Sequence, residues 1–302
     1  MTLSTAVAAA VVPAEPAPLA GVVPDGVVAP RRRCEACRED VSLPPFTMAF
    51  QPIVDAETGE TFAYEALVRP PGGGSAAAVL ARIHEGNRYA FDQACRVRAI
   101  ELAARLGLQS LLSINFLPNA VYQPAACLRK TFEAAARSGF PPHHLMFEVT
   151  ETEPTRDVGH LRSIFTEYKR HGMLTAIDDF GAGHSGLNML ADFQPDVVKL
   201  DMGLVRNLHA DRVRRAITRS IVSLCQELGI SVIAEGIECR DEALALRDLG
   251  VRLFQGFYFA RPGLEQLPRV PAETLARLRL EHETALVAGA ARGMPRARRN
   301  AG

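Results

Sequence analysis

The chain has 302 residues, 48% of them hydrophobic and 23% charged, enough to bury a substantial core in one large domain or two small ones. Its 34 basic and 34 acidic side chains balance, so no overall field draws it to a nucleic acid polymer or an anionic membrane, and an anionic ligand has to be met locally. The six cysteines, scattered and mostly in or beside helix-like stretches, fit a reducing compartment such as the cytoplasm better than a disulfide framework.

Residues 1–42 are rich in Ala, Pro and Val without amphipathic period and read as a disordered leader. Its apolar run LSTAVAAAVV lacks a basic flank and is too short to span or insert into a membrane. Near its end Cys34 and Cys37 form a C-x-x-C; structural zinc wants four ligands and no second pair is visible, so a flexible leader is the simpler reading.

From 43 to 270, short apolar runs alternate with helical patterns, the signature of βα units around a parallel sheet. In chain order the strand candidates are TMAFQPIV, TFAYEALV, LLSINF, LMFEVT, MLTAID, PDVVKL, SVIAEG and VRLFQG. Between them lie helix candidates such as FDQACRVRAIELAARLG, HLRSIFTEYKRHG, RRAITRSIVSLCQELG and RDEALALRDLG, which close on the glycine a left-handed C-cap favours. This rhythm over about 230 residues predicts a TIM-type (β/α)₈ barrel, with a doubly wound sheet as the alternative. Residues 271–302 read as a C-terminal helix and a basic tail.

Nearly every predicted strand ends in a polar residue: Glu65, Asn115, Glu148, Asp178 and Asp179, Lys199 and Asp201, Glu235, and Gln255. If the barrel closes, these converge on one mouth, where so many carboxylates repel unless a cation sits among them. Hard oxygen donors point to Mg²⁺ or Mn²⁺. Asp178 and Asp179 would face opposite sides of a strand, but where the strand breaks into a loop both can turn to metal. Two such ions clamp a phosphodiester, while the Lys199 ammonium can orient an attacking water and the Arg69 guanidinium can fork onto phosphate oxygens.

Gly181, Gly183 and Gly186 also spell the G-x-G-x-x-G of a dinucleotide-binding turn, with Asp201 about 20 residues on. A pyrophosphate there would lie close to Asp178 and Asp179, and Leu187 to Phe193 is too short for a dinucleotide-fold crossover helix. A close-turning loop hung from a metal-binding strand end is the better reading. His184 within it reads as loop packing.

The stretches FQPIV (50–54), YEALVR (64–69), SINFLPN (113–119), FEVTE (147–151), IDDFGAGHSGL (177–187), VVKLD (197–201), AEGIE (234–238) and QGFYFARP (255–262) together resemble the EAL-domain cyclic di-GMP phosphodiesterases, over about residues 45–265. The resemblance implies a TIM-type barrel, able to contain one antiparallel strand, that hydrolyses cyclic di-GMP to linear pGpG with Mg²⁺ or Mn²⁺. By motif, Glu65, Asn115, Glu148 and Asp178 resemble the ligands of one ion, and Asp178, Asp179 and Glu235 those of the other. Lys199 resembles the residue that holds the nucleophilic water, and Glu235 is also assigned the general-base role. Gln51, Arg69 and Gln255 resemble substrate contacts, Gln255 also near that water. Asp201 is read as a contact on the substrate side or as the partner that orders Lys199. Glu151 resembles the acid that pins the loop of Phe180, Gly181, Gly183 and Ser185, through which the family couples homodimerisation to metal binding. Ala182, His184 and Gly186 depart from the common DDFGTGYSS form of that loop, which bears on the dimer coupling. Some members have lost catalysis and act as cyclic di-GMP receptors or protein partners; such domains usually lack one of the acids, and none is missing here.

Overall fold

A computed structural model describes residues 41–118, 124–151, 158–183 and 186–293. Most of the predicted leader, with Cys34 and Cys37, lies outside these residues, as do His184, Ser185 and the last part of the basic tail.

The first two strands, β1 (Thr47–Asp55) and β2 (Thr61–Arg69), form an antiparallel hairpin that sets Gln51 opposite Glu65. Asp55 closes its turn by accepting the Glu57 N–H at 2.8 Å, and Gly59 supplies the left-handed residue at φ 82°. Helices α1 (Ala77–Leu80) and α2 (Arg88–Arg105) lead to β3 (Leu111–Asn115). Helix α3 (Pro124–Ser138) and a 3₁₀ turn (Pro142–His144) lead to β4 (Leu145–Thr150), and α4 (Val158–Arg170) to β5 (Leu174–Phe180). The seven-residue α5 (Gly186–Asp192) precedes β6 (Val197–Leu200). Then follow α6 (Met202–Val205), α7 (Arg212–Glu227), β7 (Ser231–Ala234), α8 (Arg240–Arg247), β8 (Leu253–Phe254), β9 (Gly263–Leu264) and α9 (Ala272–Gly293).

Helical period explains how the outer layer packs. Leu161, Ile164, Phe165 and Tyr168 of α4 are all buried at i, i+3, i+4 and i+7. Asp211 caps α7 by accepting from the Val213 and Arg214 N–H groups, and Thr218, Val222 and Cys225 form its buried stripe.

The strands β2 to β8 pair in sequence, each parallel to the next, and β1 pairs antiparallel with both β2 and β8. The result is a closed eight-stranded barrel, as the strand rhythm predicts, with the one antiparallel strand that the family resemblance allows; the short β9, not predicted, adds to β1 outside the ring.

Two layers fill the barrel. Ile53, Ala63, Met146, Ala176, Val197, Ile233 and Leu253 form an apolar cluster of their own. Strand alternation puts residues two apart on one face, so Glu65, Glu148, Asp178, Lys199, Glu235 and Gln255 stand one step above that floor, toward the C-terminal ends. β1 runs the other way, and Gln51 correspondingly precedes Ile53.

The structure corrects one local expectation. β5 does not end at Asp178 but continues to Phe180, and its register with β6 slips between Ile177 and Phe180, with Asp179 at φ 53°. A bulge, not a strand end, lets the adjacent acids reach the same cleft.

Above the barrel, Glu242 of α8 ties two loops together. Its carboxylate accepts the backbone N–H of Asn207 at 2.9 Å, of Glu238 at 3.0 Å and of Cys239 at 3.3 Å. Burial alone would raise its pKa, but these three donors hold it below the usual glutamate value. A depressed carboxyl contributes stability above its unfolded value and loses it as pH falls through the folded value. Glu242→Gln should therefore cost about 1.5–3 kcal/mol at neutral pH. In urea denaturation the gap to the unmutated chain should close as pH falls below the ordinary glutamate range; a gap unchanged down to pH 3 would refute the assignment.

Candidate metal centre

Lys199 lies at the centre of the polar layer. It follows Val197 by two residues on β6, so the sequence VVKL points its side chain into the barrel, where it is 0% exposed. Its Nζ lies 2.7 Å from Glu235 Oε1, 2.8 Å from Glu148 Oε2, 3.0 Å from Asp178 Oδ1 and 3.6 Å from Glu65 Oε2. Burial alone would lower the lysine pKa, but Asp178, Glu148, Glu235 and Glu65 hold it well above its ordinary value.

The acids remain short of positive charge. Burial, with repulsion from Glu65 and Asp178, pushes Glu148 up to about 8 despite Lys199. Glu235 is raised well above its usual value by the same causes, and Asp179 is pushed to about 6 by burial, Asp178 and Asp201. Asp178 Oδ1, buried and in ion-pair contact with Lys199, makes no hydrogen bond.

The carboxylates fall into two triplets whose oxygens lie within 4.8 Å of one another: Glu65, Glu148 and Asp178, and Asp178, Asp179 and Glu235. An all-oxygen set sharing Asp178, with one of its oxygens lacking a hydrogen-bond donor, fits two divalent cations. Asn115, at the exposed end of β3, donates its amide to Glu65 Oε1 at 3.0 Å, so it must turn its carbonyl inward to act as a ligand. Ser113, which sequence reading missed, is fully buried and donates its hydroxyl to Glu148 Oε1. Its signal was its register: Ser113 pairs with Glu65 on β2 and follows Leu111 on the inward face.

A chain of amides fixes Gln255. Gln51 Nε2 donates to the Ala260 carbonyl at 3.1 Å, which turns Gln51 Oε1 toward Gln255 Nε2 at 3.3 Å. Gln255 Nε2 also donates to Glu65 Oε2 at 2.7 Å, and Gln255 Oε1 is left buried without a donor.

The glycine-rich loop does bind an anion, but an internal one. Glu151 Oε2 accepts the N–H of Gly181 at 2.8 Å and of Gly183 at 3.3 Å, and Oε1 that of Gly186 at 2.6 Å. A Cβ on Gly186 would lie 2.8 Å from the Phe180 ring and 3.0 Å from the Glu151 carboxyl carbon, so the backbone can close on the acid only without side chains there. With these donors committed, no pyrophosphate cradle remains.

A cleft of about 300 Å³ opens above the acids, lined by Gln51, Glu65, Asp178, Asp179, Asp201, Glu235 and Gln255, with Phe257, Met202 and Glu238 beside them. Glu148 and Lys199, fully buried, lie outside the lining. One predicted residue is engaged elsewhere. Arg69 is not among the lining residues and donates to its neighbouring Val68 carbonyl at 2.7 Å. Asp201 does line the cleft and also caps α6 by accepting the Gly203 N–H at 2.8 Å, while the ion-pair partners of Lys199 are the four carboxylates.

The EAL domain family profile matches residues 35–262. The chain is 30% identical over 223 residues to the blue light- and temperature-regulated antirepressor BluF of Escherichia coli (strain K12), covering 74% of this chain and 55% of that protein. It is 30% identical over 227 residues to the probable cyclic di-GMP phosphodiesterase PdeD of the same organism, covering 72% and 41%. It thus spans about half or less of the length of these curated relatives. The cyclic di-GMP-bound standalone versatile EAL protein of Vibrio cholerae O395 matches with a TM-score of 0.73 and 56% identity, over 76% of this chain and 97% of that one. Klebsiella pneumoniae BlrP1, in a manganese and cyclic di-GMP complex, matches with a TM-score of 0.70 and 40% identity, over 73% and 57%. With its profile match spanning most of the barrel, the chain belongs to the EAL domain family.

Proposed function

We propose that the protein is a phosphodiesterase that hydrolyses cyclic di-GMP to linear pGpG with two Mg²⁺ or Mn²⁺ ions. The observation that carries this reading is the pair of carboxylate triplets sharing Asp178 around a buried ammonium, with no acid of the set replaced. Glu65, Asn115, Glu148 and Asp178 would hold one ion, and Asp178, Asp179 and Glu235 the other. When bound, such ions supply charge stabilisation to phosphoryl oxygens and lower the pKa of water.

The chain's own groups orient the attack. Lys199 would hold a water by donating to it in place of one of its carboxylates, and Gln255 Oε1, which has no donor, would accept one of the water's hydrogens. Glu235, 2.7 Å from Lys199, is the carboxylate best placed to receive the proton the water gives up whenever it is not itself serving as a ligand. Gln51 holds Gln255 in register and borders the substrate, and Arg69 would swing from the Val68 carbonyl to a phosphate oxygen.

We also place the protein in the cytoplasm. Cys95, Cys225 and Cys239 are free thiols, and no helix among the described residues is long and apolar enough to cross a membrane. A homodimer is the proposed assembly. On α5 and α7, which follow neighbouring strands, Leu187, Val213 and Ile217 are 64%, 67% and 45% exposed, apolar surface a second copy would cover.

Purified chain with Mn²⁺ should convert cyclic di-GMP to pGpG, and Glu65→Ala should abolish the conversion. Intact dinucleotide after long incubation with excess Mn²⁺ would reject the enzyme, and micromolar binding in that case would favour a receptor. For the assembly, Val213→Asp should shift a sedimenting dimer to monomer, and an unmutated chain that is monomeric at every concentration would reject the dimer.

A further inference from the structure

Outside the acid cluster, Asp92 and Arg96 of α2 form an ion pair in which both partners are buried, at 4% and 1% exposure. Spaced i and i+4, they share a helix face with the fully buried Ala99 and Ala103. Two charges removed from water are costly to hold, and apolar side chains of similar size often serve a core as well or better. Stability alone is therefore a weak account of the pair. Asp92 Oδ2 takes Arg96, and Asp92 Oδ1 accepts the backbone N–H of Leu117 at 2.9 Å. Leu117 lies two residues past Asn115, where β3 has left the sheet: its last partnered residue toward β2 is Ile114, and toward β4 it is Asn115 itself. The Phe116 N–H still reaches Glu148 O at 3.0 Å, and the Phe116 ring is buried against Phe147 and Tyr168. For the Leu117 N–H, one step farther on, α2 can supply only a side chain, because its own carbonyls bond within the helix. A carboxylate meets that donor, and an arginine one turn on balances the carboxylate.

We propose that Asp92, its charge balanced by Arg96, is a positioning residue that aims Asn115 at a metal ion. This rests on the two-cation reading above. Among the proposed ligands Asn115 is the exposed one, and the one with no charge to draw it to a cation. Its amide, now donating to Glu65, must also turn its carbonyl inward. A neutral side chain that has to reverse its amide depends on its Cα for its aim. That Cα is held from both sides, by the sheet up to Asn115 and by the bonds of Phe116 and Leu117 after it. Without the Asp92 acceptor, Leu117 is released and Asn115 stands one residue from a loose strand end. Groups that orient a metal ligand in this way act on metal affinity without touching the ion.

The experiment compares two double variants of the full chain. Both carry Arg96→Met, so that neither leaves the arginine buried without its partner; Asp92→Asn keeps an acceptor for Leu117, and Asp92→Leu removes it. Mn²⁺ alone is titrated into each by calorimetry, with Asn115 present and again in Asn115→Ala. The Asp92→Leu pair should bind Mn²⁺ about tenfold more weakly than the unmutated chain, and the Asp92→Asn pair within about threefold of it. In Asn115→Ala, where there is no ligand left to aim, the two pairs should bind Mn²⁺ alike. Should the Asp92→Leu pair fail to fold, Asp92→Ala takes its place in the same comparison. Equal affinities of the two pairs with Asn115 present would overturn the positioning role, and so would a gap that persists in Asn115→Ala, since a general loosening of the fold does not depend on Asn115. Either result, in a chain that binds Mn²⁺ when unmutated, leaves the two-cation reading intact; an unmutated chain that binds no Mn²⁺ refutes that reading and the positioning role with it.

Discussion

One buried ammonium governs the upper half of the barrel. Removing Lys199 from water is costly, and an effective penalty of several kcal/mol per buried ion is normal. The four carboxylates within 3.6 Å offset it, but they in turn are too many for one positive charge. Glu148, raised to about 8, and Asp179, raised to about 6, express this excess: burial and the neighbouring acids make both hold a proton more tightly than they would in water. The site is therefore held together by Lys199 yet remains electrostatically incomplete. Divalent cations would relieve the same repulsion that Lys199 relieves in part, and would draw protons out of the cluster as they bind.

The barrel's register makes this arrangement possible. Each parallel strand carries an inward apolar residue two positions before an inward polar one: Ala63 before Glu65, Met146 before Glu148, Val197 before Lys199. The apolar ring seals the barrel below the charges, so Lys199 and Glu148 meet no water from that side. A slip of one residue in β6 would point the Lys199 charge outward into the helix layer and put Val198 or Leu200 in the site. Fold and charge placement are thus one constraint, which is why the antiparallel β1 can join the ring: reversed in direction, it still presents Gln51 above Ile53.

Much of this was legible in the chain. Apolar runs marked the strands because strands buried on both faces cannot alternate freely with polar residues, and a polar residue ending each run marked the mouth. What was not legible depends on contacts distant in sequence. The bulge at Asp178 and Asp179 needs the β6 register to be seen, and IDDF alone reads as a strand end. Ser113 has an ordinary strand residue's appearance until Glu148, 35 positions on, is placed beside it. Asp201, spaced like a partner of Lys199, instead satisfies the first turn of a helix too short to be seen in the sequence pattern. Arg69 lies on the expected strand, but a flexible side chain on a strand end has no fixed direction that sequence can supply.

The glycines show how a motif can report physics correctly and function wrongly. G-x-G-x-x-G signals backbone that must approach an anion closely, and here it does, the anion being the carboxylate of Glu151. Glu151 follows the end of β4, three residues beyond Glu148, so the loop after Asp179 is fastened to the strand that carries another acid of the cluster. The same loop meets α6, since a Cβ on Gly181 would lie 2.5 Å from Leu204. The other end of that contact is equally close: Met202 of α6 leaves no room for a Cβ on Gly236, the residue after Glu235, which sits at φ 64°. The residues beside Asp179, on β5, and beside Glu235, just past the end of β7, therefore both pack against one short helix. α6 thus packs against both sides of the acid cluster, so the two halves of the site share a neighbour as well as a network of charge.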